Sequence, residues 1–256
     1  MTLPRPANVQ PPSDPPGGQS DAVSLAAGGR WRLPSQCELC RAWCGGTVCN
    51  DCRQRFAAPR WRCACCALPL PEAQARCGEC LADPPPFDAA VCAVDYAFPW
   101  DRLIQAFKFH DRTDLAGLLG GLLADAVRRQ PASPPSLLMG VPLSSPRLVQ
   151  RGYDQVRLLV RALRRSLDLP EDSVRHDLLE RMLDAPPQAG LDRAARQHNL
   201  RGAFRVPDPA RPVLQGRHVA LVDDVMTTGA TLREAAATLR EAGAASVRLW
   251  VVARTA

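Results

Sequence analysis

Two adjacent carboxylates, Asp223 and Asp224, stand just before a cluster of small residues: Thr227, Thr228, Gly229, Ala230 and Thr231. Neighbouring acids suit vicinal hydroxyls of a sugar, whose protons they accept, and they attract a divalent cation. Hydroxyl side chains around a glycine suit a phosphate, because the backbone can approach closely there and the threonines add donors. The acids follow an apolar run, Val219 to Val222, of the kind a buried parallel strand shows. After Thr231 the spacing turns helical, with Leu232, Ala235, Ala236 and Leu239 on one face and Gly243 as a stop. The threonine loop thus lies at a helix N-terminus, where free N–H groups and partial positive charge favour an anion. It lacks Gly-Lys-Ser/Thr, which excludes a Walker-type nucleotide loop. A sugar, a phosphate and a metal together point to phosphoribosyl diphosphate (PRPP). The plain alternative is the Asx-turn and N-cap of an ordinary βα unit.

Cysteines form the second constellation. Cys37-x-x-Cys40 stands with Cys49-x-x-Cys52, and Cys63-x-x-Cys66 with Cys77-x-x-Cys80. A two-residue gap lets both thiolates of a knuckle reach one ion, and two knuckles complete a tetrahedral site of four thiolates. One or two structural zinc ions are expected, since a closed thiolate site keeps no open position. Pairing in sequence order is assumed, an interleaved arrangement stays open, and Cys65 can compete with Cys66. So small a module has little core, so the metal should supply most of its folding energy. Arginines and aromatics are interleaved with these cysteines, among them Trp31, Arg41, Trp43, Arg53, Phe56, Arg60, Trp61 and Arg62. They either track a single nucleic-acid strand by charge and stacking or form the module's core and its solvated face.

Around these constellations the chain alternates strands and helices. Strands are expected over Ala89–Val94, Leu137–Val141, Val174–Leu179 and Val247–Val252, and helices over Asp101–Phe109, Asp114–Arg129 and Val156–Leu167. That alternation predicts an α/β fold with a mostly parallel sheet and right-handed crossovers. After Val141 comes a loop with Ser144, Arg147 and Arg151, placed where α/β folds hold ligands. Its arginines can neutralise a diphosphate through bidentate contacts. The Val156–Leu167 helix carries a basic face of Arg157, Arg161, Arg164 and Arg165. Residues 181–204, with Arg181, Gln188, Arg196 and Asn199, read as an irregular, mobile segment because of Pro186-Pro187 and Gly190.

The 256 residues fit one good-sized core plus a small module, divided as a disordered tail over 1–33, a double zinc ribbon over 34–83 and an α/β domain over 84–256. Asp83-Pro84-Pro85-Pro86 supplies a stiff linker. No apolar run approaches a membrane span and no secretory signal is visible, so no membrane insertion and a cytoplasmic location are expected. The net charge of +6 agrees with anionic ligands or nucleic acid and proves neither. Lys108 is the only lysine.

The run from Val222 to Thr231 resembles the PRPP loop of the type I phosphoribosyltransferases. Residues 35–256 as a whole are similar to the ComF family, the group of ComFC and GntX. Four features carry that likeness in order: the CxxC knuckles, Leu103-Ile104 through Lys108-Phe109, Val141-Pro142 through Arg151-Gly152-Tyr153-Asp154-Gln155, and the PRPP loop. The segment from Gln188 to Asn199 also fits. One departure is Asp154, where the family usually carries Asn; this extra carboxylate could weaken anion binding beside Arg151 or pair with it.

The resemblance implies a type I phosphoribosyltransferase fold and Mg²⁺-dependent transfer from PRPP. Asp223 and Asp224 would serve catalysis by holding the ribose and steadying positive charge on it, residues Thr227 to Thr231 would hold the 5-phosphate, and Ser144, Arg147 and Arg151 the diphosphate. Lys108 falls where the family leads one to expect a lysine. A different implication is nucleic-acid handling: ComFC is associated with uptake of transforming DNA beside a helicase-like partner. Single-stranded DNA would then be the ligand of the zinc module and Arg patches, with the PRPP site regulatory or vestigial.

Overall fold

A computed structural model of the chain describes residues 34–72, 74–131, 133–182 and 202–256. The tail over 1–33 and the expected loop residues Gln188, Arg196 and Asn199 lie outside the described residues. Pro34–Ala256 forms one compact unit.

At its centre is a four-stranded parallel sheet. Its strands are β3 (Ala89–Asp95), β4 (Leu137–Gly140), β7 (His218–Met226) and β8 (Ser246–Arg254), in the order β3-β8-β7-β4. Two further pairs are small and antiparallel: β1 (Ser35–Gln36) with β2 (Trp43–Cys44), and β5 (Glu180–Arg181) with β6 (Phe204–Arg205). The helices are α1 (Asn50–Phe56), α2 (Gly78–Ala82), α3 (Trp100–Phe109), α4 (Leu115–Arg128), α5 (Ser145–Arg151), α6 (Gln155–Leu167) and α7 (Ala230–Glu241), with a single helical turn at Arg211–Leu214. The expected α/β architecture is therefore present, and the strands are buried on both faces as their near-continuous apolar runs require.

One face of the sheet is covered by α3, α4 and α6, whose Phe107, Leu119, Leu123, Leu159 and Leu163 meet Ala220, Val222 and Trp250. On the opposite face Leu232, Ala235, Ala236 and Leu239 of α7 meet Leu221, Leu249 and Val251. The cysteine segment lies along the β3 edge and reaches both faces. Cys37 and Cys52 join the α3–α4–α6 core, whereas Cys63, Cys66, Cys77 and Cys80 join the α7 core. Ala64 accepts from the Ala90 backbone at 3.2 Å, so part of the open edge of β3 is capped by the cysteine segment.

Two elements differ from the sequence reading. Val174–Leu179 is not a strand: only Val174 bridges, to Leu138, before β5 begins at Glu180. The polar Arg175-His176-Asp177 interrupts the apolar run, and Arg175 pairs with Asp177 at 2.6 Å within that bend. The ends of the 181–204 segment are ordered rather than irregular, since Arg181 in β5 pairs with buried Phe204 in β6.

Candidate functional site

Asp223 and Asp224 fall inside β7 rather than after it. Consecutive strand residues face opposite sides of a sheet, and the two acids accordingly have different surroundings. Asp224 is buried toward α3 and α6. Lys108 of α3 reaches it at 2.7 Å, and the Gln155 amide of α6 donates to its second oxygen at 3.2 Å. Asp223 is half-buried, and one of its oxygens accepts the Asp224 backbone N–H at 2.8 Å. Burial, and then the charge of Asp224, push the Asp223 carboxyl up to about 7, against the opposing charges of Lys108 and Arg181. The pair is thus one carboxylate locked by a lysine and one that holds its proton close to neutral pH.

Beyond β7 the threonine loop leads into α7 through Gly229, which sits at φ +77° as the N-cap. An L side chain is strained in that conformation, and a Cβ there would come within 2.5 Å of the Met226 methyl. Thr227 is exposed, while Thr228 and Thr231 are half-buried. The Ala230 N–H lies 3.4 Å from the Thr228 hydroxyl. The loop combines the open N-terminus of a twelve-residue helix with hydroxyls and two acids just upstream. Such a loop can hold a phosphorylated sugar.

The Arg151-to-Gln155 stretch is a corner between helices in which each residue has a task. Arg151 ends α5, with its guanidinium 4.9 Å from the Phe109 ring centre, and its buried Nε has no partner among the described residues. Gly152 is the left-handed C-cap, at φ 72°. Tyr153 donates its hydroxyl to the Phe107 carbonyl, binding the corner to the end of α3 beside Lys108. Asp154 is the N-cap of α6, accepting from the Arg157 N–H at 3.0 Å and facing its Nε at 3.2 Å. The carboxylate therefore engages α6 and not Arg151, and Asn could do the same capping. Ser144, N-terminal to α5, has a buried hydroxyl with no partner among the described residues, and Arg147 is exposed. Lone buried donors at Ser144 and Arg151 mark where an anionic ligand would satisfy polar atoms. Arg181 lies 5.4 Å over Phe204.

The cysteines assemble in sequence order. Sulfurs of Cys37, Cys40, Cys49 and Cys52 lie within 4.8 Å of one another, as do those of Cys63, Cys66, Cys77 and Cys80. Cys65 is buried outside the second group, which removes the competition with Cys66. Each group can hold a zinc ion by its donor set. The first cysteine of each group accepts a backbone N–H: Cys49 to Cys37 at 3.4 Å and Cys77 to Cys63 at 3.3 Å. Burial raises the Cys37 thiol, yet backbone donors from Cys40, Cys49 and Leu39 outweigh it and bring it down to about 6. All eleven cysteines are free of disulfides.

Around the cysteines, Trp43 and Trp61 are exposed, but the arginines mostly serve docking. Arg60 and Arg62 both pair with Asp95 at the end of β3, Arg62 at 2.6 Å, and Arg53 reaches Asp125 of α4 at 2.8 Å. Arg254, which sequence spacing does not single out, is buried at the end of β8 and bonds both the cysteine segment and the threonine loop. Its only signal in sequence is a charge closing an apolar strand.

A family model described as a phosphoribosyl transferase domain matches residues 160–256. The DNA utilization protein YhgH of Escherichia coli (strain K12) is 36% identical over 230 residues, covering 87% of this chain and 98% of its own. Competence protein F of Haemophilus influenzae is 35% identical over 212 residues, covering 81% of this chain and 90% of its own. Among solved structures, the glutamine PRPP amidotransferase of B. subtilis complexed with ADP and GMP aligns at 21% identity with a TM-score of 0.38, over 58% of this chain and 30% of that one. Identity of 36% across almost the full length of YhgH, with the cysteine groups and the acid-threonine loop assembled as described, establishes that this chain is a member of the ComF family, a phosphoribosyltransferase-type domain joined to a cysteine-rich segment.

Proposed function

We propose that the protein binds PRPP at the C-terminal ends of β7 and β8 and transfers its phosphoribosyl group to an acceptor. The observation that carries this reading is the division of labour between the two acids beside a phosphate-suited loop. Lys108 and Gln155 hold Asp224 in one orientation, so it is ready for a ribose hydroxyl without searching rotamers. Asp223 gives up its proton when a sugar hydroxyl and the charge of the reacting ring replace it. Thr227 to Thr231 take the 5-phosphate, and Ser144, Arg147 and Arg151 take the diphosphate.

During transfer, the bond from the anomeric carbon to diphosphate breaks and its electron pair leaves with the diphosphate. A lone pair of the acceptor forms the new bond. Positive charge grows on the ring, as in glycoside chemistry, and the nearby carboxylates oppose it. Mg²⁺, if held beside the Asp223–Asp224 pair, would supply neutralising charge for the leaving group. Each four-cysteine group holds one structural zinc in this reading, which places the protein in a reducing compartment such as the cytoplasm. Residues 34–83 then act as the zinc module and 84–256 as the transferase domain.

Calorimetric titration with PRPP, with and without Mg²⁺, tests the reading. Mg²⁺-dependent binding that D223N/D224N abolishes is expected; binding unchanged in that double variant would sink the role of the acids.

A second reading, handling of single-stranded DNA, draws on the names of the relatives and on the outer face of α6. Arg161 and Arg165 are exposed there, and a groove of about 380 Å³ is lined by Arg161, Arg164, Arg165 and His176 together with Glu171 and Val174. Burial, and then the charge of Arg157, hold His176 below its ordinary range against the opposing charges of Asp154 and Asp177. With the zinc-module arginines engaged by Asp95 and Asp125, α6 is the better candidate to meet a strand. Binding of a labelled oligonucleotide should weaken steeply with salt and with R161E/R165E. Equal binding by wild type and variant would remove α6 from the reading.

A further inference from the structure

Arg254 closes β8, in register with Asp95 of β3 on one side and Met226 of β7 on the other. It is 7% exposed. Its Nε donates to the Cys66 carbonyl at 3.3 Å. One terminal nitrogen lies within reach of the Met226 carbonyl at 3.2 Å, the Thr227 carbonyl, and the Thr255 carbonyl at 2.8 Å. We propose that Arg254 is a positioning residue that ties the threonine loop to the second four-cysteine group and sets the loop for a phosphate.

Peptide geometry supplies the mechanism. In a trans peptide the carbonyl and the next N–H point in opposite directions. Carbonyls of Met226 and Thr227 are directed at the guanidinium, so the N–H groups of Thr227 and Thr228 are directed away from it. Thr227 itself is exposed, which leaves room for an anion to approach the loop on the side away from the guanidinium. The Thr255 N–H adds a second bond to the Met226 carbonyl, at 3.1 Å, which leaves that peptide plane little freedom.

A buried cation also lies directly behind the loop. Backbone carbonyls compensate its desolvation, yet its charge still favours an anion in front. Only a forked side chain can reach the loop and Cys66 at once; an ammonium lacks the Nε donor. Cys66 itself belongs to the second sulfur group, so whatever orders that group orders the carbonyl that Arg254 grips.

The effect on ligand rests on the PRPP reading; the ordering of the loop does not. The full chain with its zinc content measured would be compared with R254M and R254K by two readouts. One is PRPP affinity with Mg²⁺. The other is amide hydrogen exchange of Thr227 to Gly229, against α4 as internal control. R254M should weaken PRPP about 10- to 100-fold, as loss of charged hydrogen bonds does, and R254K by about tenfold. In both, the loop amides should exchange at least about tenfold faster while α4 is unchanged. If wild type does not bind PRPP, the function proposal fails, and the exchange result alone decides the tie. Should R254M fail to fold, R254K decides. Loop exchange equal to wild type in a folded variant overturns the proposal.

Discussion

The two four-cysteine groups have the same CxxC knuckles but join different cores, the first with only Cys37 and Cys52 buried and the second buried throughout. In the first, Cys40 is exposed and Cys49 half-buried, and its neighbourhood is held to the helical face by Arg112–Glu38 at 2.7 Å and Arg53–Asp125 at 2.8 Å. All four cysteines of the second are buried in the core that α7 and the ends of β7 share. Its surroundings reach the threonine loop through Arg254, and α7 through Arg233, which meets Asp83 at 3.2 Å. Identical motifs therefore do different work. The first is an outlying clamp on α3 and α4. The second is part of the wall of the candidate site.

Breaking each group in turn gives the largest expected effect. C63S/C66S should lose one zinc and destabilise the chain by about 5 kcal/mol or more, with loss of PRPP binding. C37S/C40S should also lose one zinc, but by urea denaturation it should cost less, about 3 kcal/mol, and leave PRPP affinity nearly intact. Metal analysis with denaturation and calorimetry reads all of this. Equal losses in both variants would dissolve the distinction between clamp and wall.

Next in size is the tie on the helical face of the site. K108M strands the buried Asp224 carboxylate and should cost about 3 kcal/mol in urea, most of it recovered in K108M/D224N. Purely additive single and double variants would show that the pair is not coupled.

The other acid predicts a pH dependence. Asp223 keeps its proton up to about 7 when folded, against about 3.9 when unfolded. Between those values the folded chain holds more protons, so this contribution to stability is full at low pH and is lost as pH rises toward 7. Sugar hydroxyls prefer the ionised form, so PRPP should bind more tightly as pH rises through the folded value near 7 and release protons on binding. D223N should flatten the stability profile and abolish the proton release, measured by calorimetry in buffers of different ionisation enthalpy.

The smallest effect concerns the α5–α6 corner. D154A removes an N-cap and should cost about 1 kcal/mol, whereas D154N should be nearly neutral in stability and in PRPP affinity. A marked gain in affinity with D154N would restore a role for the extra carboxylate against the diphosphate.

Local chemistry made much of this legible in one dimension. CxxC spacing, the apolar run before the acids, the helical spacing after Thr231 and the alternation of strands with helices are all set by neighbours within a few residues. The chain alone therefore marked the cysteine groups, the α/β fold and the acid-threonine loop. Packing over long separations decided the rest. Whether Asp223 and Asp224 act alike depends on which face of β7 each meets, and Lys108 and Gln155 answer that from helices 116 and 69 residues away in sequence (224 − 108 and 224 − 155). Arg254 reads as a charge at the end of an apolar strand until the sheet sets it between Cys66 and the loop, 188 and 28 residues away. A sequence determines the propensities and ligands that neighbours create; only the tertiary structure brings a buried cation to the particular carbonyls that stabilise it, because that depends on which strands lie side by side.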